Sequence, residues 1–501
     1  MPIRQPTKEE LRELASELYL TLTDEEVEFF REMAAERIES YETVRSYNPE
    51  PQFGSPSVRE RSGGTRPPAD ENPLNAWVTR CEVRGDEGGP LEGWDVALKD
   101  NVSVAGVEMT CGSHVVEGYV PNVDATLVAR LLEAGADVVG KTNMDDMGMG
   151  TSGHSAFGPI HNPHDDAFLA GGSSGGSAVV VAEGEADVAI GTDQGGSVRI
   201  PAAFCGVVGH KPTYDLVPYT GCVGLEHLID HPGPMAREVE TVARTLSVIA
   251  GSDRKDVRRP SDVPVEEYEE ALDGDVSGLS IGVVREGFER EEADPRVVEE
   301  VHGAIGTLGD LGASIEEVSV PPHADAGAVH SICQSEAIAA AMRSEGVGRG
   351  WQGWYNPSWI ESFGKFRQAQ SDDFPATVKL SLLMGTYAGK KYHSRYYASG
   401  MNLYLELIEE YDALLDEYDL LAMPTVVETA PKYDPERDQF DRARELGTAD
   451  NASPFNRTGH PATSVPAGEV DGLPVGLQLV GARFDDATPL NAAYALEGER
   501  D

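Results

Sequence analysis

The stretch Gly171–Ser197, GGSSGGSAVVVAEGEADVAIGTDQGGS, places two glycine–serine clusters on either side of an apolar segment. A P-loop needs a Lys-Ser or Lys-Thr pair after its glycines, and a dinucleotide-binding loop needs the spacing Gly-x-Gly-x-x-Gly. Neither pattern occurs in this stretch, and its apolar middle argues against a flexible linker. The two clusters therefore favour a catalytic use, in which a serine attacks and the glycines leave main-chain N–H groups accessible.

A catalytic serine needs a base, and the usual base is histidine. The twelve histidines show no placement that marks one of them out. Lys99 ends the apolar run VALK, where burial could keep its amine neutral. The alternative is a surface lysine paired with Asp95 or Asp100.

Acidic residues outnumber Lys and Arg by 86 to 40, which gives the 501-residue chain a net charge of −46. The acids are spread along the sequence, between periodic apolar runs, so we expect a folded protein with an acidic surface. Such a surface is typical of proteins from a high-salt cytoplasm, where repulsion is screened, and an ordinary acidic protein is the alternative. The charge also predicts that nucleic acid is not a partner.

The sequence has no apolar run long enough to span a membrane, and its charged start lacks the apolar core of a secretion signal. The five cysteines are scattered and show no metal-ligand spacing. We therefore expect a cytoplasmic location with reduced thiols, no membrane association and no metal.

The first 47 residues predict a small helical N-terminal region, with a capping box formed by Thr23 and Glu26 at the start of the second helix. Residues 48–74 are rich in Pro, Gly, Ser and charge, which predicts a linker. A large domain then follows over residues 75–501.

Strand and helix patterns alternate in the large domain, which predicts an α/β fold. The strand patterns are WDVALKDN, ADVVGKTN, LSIGVVRE, ASIEEVSV, YDLLAMPT and GLPVGLQLVG. A helix is predicted over DATLVARLLEAG, with Asp124 as N-cap and Gly135 just beyond its end. The aromatic, helical stretch 320–445 is either a wall of the substrate site or ordinary core.

The large domain resembles the amidase signature family over about residues 90–485. The matching stretches are ALKDN, GKTNMDD, GGSSGGSA, GTDQGGSVRIPAAFCGVVGHKPT, PGPMAR, MPT, NRTGHPATSVPAG and DGLPVGLQLVG. The resemblance implies one α/β domain with a central mixed β-sheet covered by helices. It also implies a Ser–cis-Ser–Lys triad that needs neither a metal nor an organic cofactor.

Carried onto this sequence, the resemblance makes Ser197 the nucleophile, Ser173 the bridging cis-serine and Lys99 the base. It implies an oxyanion hole formed by the main-chain N–H groups of Gln194, Gly195 and Gly196, together with that of Ser197.

Further positions matched by the resemblance are Ser174, Asp193 and Arg199, where the family has supporting polar groups, and Thr151 and Ser152, which line its amide pocket. An ordinary structural role is at least as good an interpretation for each. The neighbouring Gly-His pair departs from the family pattern, which leaves the substrate open.

Two activities within the family are compatible with these motifs. One is a free-standing amidase that converts a small carboxamide to an acid and ammonia. The other is the glutaminase component (the A chain) of a glutamine-dependent tRNA amidotransferase. The long N-terminal region and the run DLVPYTGCVGLEHLIDHPGPMAR favour the first, and the family resemblance implies a homodimer. A nucleotide-binding protein without catalytic activity is the third alternative.

Overall fold

The computed structural model describes residues 3–47, 60–256, 258, 265–348, 353–444 and 449–499. The chain divides into two compact units, residues 1–55 and 56–501. The predicted boundaries at residues 47 and 74 remain a prediction.

The first unit contains helices α1 (Lys8–Glu17) and α2 (Asp24–Tyr47). The predicted capping box precedes α2: the Glu26 N–H donates to Thr23 Oγ1 at 3.2 Å, and the Thr23 N–H donates to Glu26 Oε2 at 2.8 Å. Thr7 and Glu10 form the same arrangement at the start of α1. Each such cap contributes about 1 kcal/mol.

The second unit is built on a mixed sheet, as the sequence predicts. Among the described residues, eleven strands form this sheet in the order β1-β3-β2-β6-β8-β7-β12-β13-β11-β9-β10, and β4 and β5 form a separate pair. The strands are β1 (Trp77–Val83), β2 (Asp95–Lys99), β3 (Asp137–Thr142), β4 (His154–Ser155), β5 (Gly158–Pro159), β6 (Val188–Asp193), β7 (Val208–Lys211), β8 (His231–Ala236), β9 (Ser280–Val284), β10 (Ser314–Val318), β11 (Leu420–Pro424), β12 (Ala462–Val470) and β13 (Leu473–Val480).

Helices cover both faces of the sheet. They are α3 (Thr126–Glu133), α4 (Gly175–Ala182), α5 (Arg199–Cys205), α6 (Val239–Ile249), α7 (Pro295–Asp310), α8 (His323–Arg343), α9 (Pro357–Gln370), α10 (Ala376–Tyr392), α11 (Arg395–Leu415), α12 (Gln439–Arg444), α13 (Pro454–Thr458) and α14 (Ala487–Gly498). None of the helices in the described part of the chain is long and apolar enough to cross a membrane.

Side-chain alternation along β2 decides which face Lys99 occupies. Val96 and Leu98 belong to the apolar cluster that includes α3, α6 and α14, whereas Ala97 belongs to the cluster on the side of α4 and α5. Successive strand residues point to opposite faces, so Lys99 lies on the face of Ala97. Each fully buried valine or leucine here stabilises the fold by about 1.5–3 kcal/mol.

Asp124 does not cap α3, so that prediction is wrong: the N-cap is Ala125, without a side-chain hydrogen bond. The Asp124 carboxylate instead accepts two hydrogen bonds from Arg61, at 2.9 and 2.6 Å. Gly135 follows the helix at φ +96°, as predicted. The stretch around Arg61 is bridged to β1, with Thr65 and Arg80 exchanging backbone hydrogen bonds.

Candidate active site

Three neighbouring strands bring the predicted site residues to one edge of the sheet. Strands β3, β2 and β6 run parallel to each other. Their carboxyl ends therefore meet, and ligands bind at such ends in α/β sheets. Lys99 is the last residue of β2, and Gln194–Ser197 follow β6 directly.

Lys99 is fully buried, and its amine lies beside the first glycine–serine cluster. Its Nζ lies 2.8 Å from Ser173 Oγ and donates to the Thr192 carbonyl at 3.0 Å. Burial lowers the pKa of Lys99 to about 7, against the opposing charges of Asp145 and Asp193. A substantial neutral fraction therefore exists near neutral pH. The alternative of a surface lysine paired with Asp95 or Asp100 is excluded.

Ser173 and Ser197 belong to segments that touch through their backbones. The Gly172–Ser173 peptide bond is cis. The Ser174 N–H donates to the Ser197 carbonyl at 3.2 Å, and the Ser174 hydroxyl donates to the Thr192 carbonyl at 3.1 Å. Within the described residues, the Ser197 hydroxyl makes no hydrogen bond. It therefore remains available to a ligand.

The loop after β6 alternates between paired and unpaired N–H groups. Gly196 and Val198 donate to the Asp193 carboxylate at 2.7 and 3.0 Å. No described group accepts a hydrogen bond from the N–H of Gln194, Gly195 or Ser197. Gly196 thus differs from the other matched donors, because its N–H already has a partner.

Asp193 and Arg199 form a fully buried ion pair that supports this loop. Two guanidinium nitrogens of Arg199 each bind one Asp193 oxygen at 3.0 Å. The remaining donors reach the Ala452 carbonyl, Gln478 Oε1 and Asn456 Oδ1, each at 2.8 Å. Burial opposes ionisation of Asp193, but Arg199 and Asn456 outweigh it and hold the pKa of Asp193 well below its usual range. Removing one partner of such a pair typically costs about 3–5 kcal/mol.

Thr151 and Ser152 lie near the Ser173 turn, and their side chains make no hydrogen bond to the three triad positions. The Gly172 N–H donates to the Thr151 carbonyl at 2.8 Å. Ser152 Oγ lies 3.1 Å from His154 Nδ1.

A cavity of about 490 Å³ adjoins the nucleophile loop through Tyr219. Gln194 Nε2 donates to Tyr219 Oη at 2.9 Å, and Tyr219 lines the cavity. Lys99, Ser173 and Ser197 are not among the residues that line it. The stretch 320–445 supplies part of the wall, as one of its two interpretations predicts. Its lining residues include Ala337, Trp354, Trp359 and Tyr397.

A family model described as Amidase matches residues 75–490. The chain belongs to the amidase family. This confirms the resemblance and the fold class predicted from the motifs, and it identifies the chain as a member of a family of amide hydrolases and amidotransferases.

Two relatives of this amidase-family chain carry different names. It is 43% identical over 428 residues to the A component of the glutamyl-tRNA(Gln) amidotransferase of Halobacterium salinarum, covering 85% of this chain and 99% of that protein. It is 42% identical over 450 residues to an enantioselective amidase of Rhodococcus rhodochrous, covering 88% and 86%.

A solved structure agrees with the fold. The crystal structure of the A component of the glutamyl-tRNA(Gln) amidotransferase from Thermotoga maritima superposes with a TM-score of 0.69 and 33% identity, over 85% of this chain and 88% of that one.

These relatives correct the prediction that nucleic acid is not a partner. Several are named as subunits of a glutamyl-tRNA(Gln) amidotransferase, a name that contains both a tRNA and a multi-subunit assembly. Net charge describes the average of the whole surface. It excludes neither a local contact nor a partner protein that holds the tRNA, so the prediction was wrong.

Sequence reasoning missed several residues that the site uses. Tyr219 and Asn456 lie within quoted stretches but were assigned no role, and the motif GKTNMDD hides a buried carboxyl, Asp145. The only sequence signal for Asp145 is a pair of acids directly after an apolar strand.

Proposed function

We propose that this chain cleaves the C–N bond of a carboxamide through an acyl-enzyme on Ser197, with Ser173 as relay and Lys99 as base. The observation that carries the proposal is the 2.8 Å contact between Lys99 Nζ and Ser173 Oγ in a fully buried site. Burial that lowers the pKa of Lys99 to about 7 supports its role as a base at neutral pH.

Proton transfer begins at the lysine. Neutral Lys99 takes the proton of Ser173, Ser173 takes that of Ser197, and Ser197 Oγ bonds to the amide carbon. The C–N bond then breaks, and the relay returns the proton so that nitrogen leaves as ammonia. Water adds to the resulting ester by the same relay and releases the acid. Ser197 must turn toward Ser173, a contact that commonly tightens when substrate binds.

The oxyanion is proposed to bind the N–H groups of Gln194, Gly195 and Ser197. These three lack an acceptor among the described residues, whereas that of Gly196 is bound to Asp193. The Asp193–Arg199 pair would hold the loop in this conformation before substrate arrives, which is the arrangement that stabilises a developing charge most.

Glutamine is the amide donor that the relatives favour. The first five relatives in the comparison all carry the name of the A component of a glutamyl-tRNA(Gln) amidotransferase. We therefore propose a glutaminase role, in which ammonia passes to a tRNA-bound acyl group with the help of partner proteins. This replaces the free-standing amidase as the first choice.

Direct hydrolysis of a small carboxamide is the second candidate. Binding glutamine requires a cation for its α-carboxylate, but the two arginines in or beside the cavity are already paired. Arg258 binds Asp256 at 2.7 Å and Asp215 at 2.9 Å, and Arg457 binds Glu226 at 2.7 Å. The similarity to an enantioselective amidase points the same way.

Ammonia release from glutamine and from benzamide, measured side by side in molar KCl, separates the two candidates. We expect kcat/KM to favour glutamine by about tenfold or more, with further stimulation by partner proteins and glutamyl-tRNA. The Ser197→Ala variant is the blank. Faster turnover of benzamide supports direct hydrolysis instead. No release from either amide contradicts the proposed chemistry.

The acidic surface leads us to propose a high-salt cytoplasm as the working environment. Because a net charge of −46 repels itself, we expect the melting temperature to rise by about 10 °C between dilute buffer and about 2 M KCl. Sucrose at equal osmolality is the control, since it is excluded from protein surfaces without screening charge. An equal rise in sucrose, or none in KCl, contradicts the proposal.

A further inference from the structure

Asp145 is a buried carboxyl beside the triad that the mechanism above does not use. It follows β3 and is 2% exposed. Its N–H donates to the Ser173 carbonyl at 3.2 Å, so its backbone is tied to the turn that carries the relay serine.

Two glycines enclose the Asp145 carboxylate. A methyl group on Gly150 would lie 2.0 Å from its Oδ2, and one on Gly172 would lie 2.5 Å from its Oδ1. Gly172 precedes the relay serine, and Gly150 precedes the loop that contains Thr151. The Gly172 N–H also donates to the Thr151 carbonyl at 2.8 Å. The carboxylate therefore fills the junction between the loop and the turn, which only residues without a side chain can form.

Asp145 also carries the uncompensated charge near the base. The titratable groups that face Lys99 are Asp145, Asp193 and Cys111. Asp193 is neutralised by Arg199, and burial raises the pKa of Cys111, which therefore stays a neutral thiol. Asp145 has no ion-pair partner among the described residues, and its buried Oδ1 has no hydrogen-bond partner.

We propose that Asp145 is a positioning residue that holds the Ser173 turn against the 150–154 loop, and that its negative charge sets the pH at which Lys99 becomes a base. The inference rests on the proposed function, because it assigns a role to a residue that acts through the triad.

The direction of the effect follows from the charges. Burial raises the pKa of Asp145 to about 7, so the carboxyl ionises in the range in which Lys99 loses its proton. An ionised Asp145 favours the ammonium form of Lys99. Replacing Asp145 with asparagine removes that charge but keeps the shape. Lys99 then becomes neutral at lower pH, and the acidic limb of the rate profile moves down by about one pH unit.

The test measures how fast a fluorophosphonate labels Ser197 between about pH 5 and pH 10. In this reaction Ser197 Oγ bonds to phosphorus, fluoride leaves, and the relay takes the serine proton. Asp145→Asn should move the acidic limb down. The matched control is Asp146→Asn, a neighbouring buried carboxyl that does not face Lys99, and it should leave the limb in place.

A second variant guards against misfolding of Asp145→Asn. Gly150→Ala forces the carboxylate to move while leaving Asp145 itself in place, and it should shift the limb in the same direction. A limb that stays fixed in whichever of the two variants folds overturns the inference, as does an equal shift in Asp146→Asn. Absence of labelling in the unchanged protein at every pH overturns the proposed function itself.

Discussion

Replacing Ser197 with alanine is expected to lower kcat for amide cleavage by about 10⁶-fold. Loss of the hydroxyl removes the atom that attacks the carbonyl, and the remaining oxyanion donors and binding contacts provide only residual acceleration. The side chain makes no hydrogen bond with a described residue, so the folded state should lose little. Ammonia release and thermal melting, measured on the same preparation, check both parts.

The matched control is Ser177→Ala. Ser177 is a fully buried serine of α4, and its hydroxyl lies 2.7 Å from Thr142 Oγ1, away from the triad. Its loss leaves one buried hydroxyl unsatisfied and should cost about 1–3 kcal/mol of stability with near-normal kcat. The two variants therefore separate activity from folding in opposite directions. Retention of amide cleavage by Ser197→Ala would show that another residue is the nucleophile.

Replacing Lys99 with methionine is expected to lower kcat at neutral pH by about 10³–10⁴-fold. Methionine fills most of the buried space but cannot take a proton. In the unchanged protein the rate should rise with pH through about 7, because burial lowers the pKa of Lys99 to that value and only the neutral amine is a base. The variant should lack this limb and recover part of its activity as hydroxide increases. Profiles of kcat against pH test this directly.

Ser173→Ala provides the comparison for the lysine variant. It keeps the base but breaks the relay, so its activity should fall with less recovery at high pH. If both variants keep the pH profile of the unchanged protein, the relay through Ser173 is wrong.

Local patterns in the sequence were sufficient to predict the strands that carry the site. The runs around β2, β3 and β6 are short and apolar, and their boundaries depend on neighbouring residues alone. Asp124 shows where this reasoning fails. Its position before α3 is typical of an N-cap, but Arg61, distant in sequence, takes its carboxylate instead.

The site was predicted unevenly for the same reason. Residue reasoning placed Lys99 at the end of an apolar strand, and the family resemblance supplied Ser173 and Ser197. Gly196 was matched as an oxyanion donor because the sequence does not show which N–H groups Asp193 takes. The link from Gln194 to Tyr219 was missed, since it exists only once two distant loops meet.

The supports of the Asp193–Arg199 pair have a consequence for synthesis of the chain. Arg199 binds Ala452, Asn456 and Gln478, which the ribosome makes more than 250 residues later. Contacts so distant in sequence form late, and an emerging chain would hold two buried charges without most of their partners. The nucleophile loop can therefore reach its working shape only after almost the entire polypeptide has been released. A nascent chain should pass through translation without the ability to attack cellular amides.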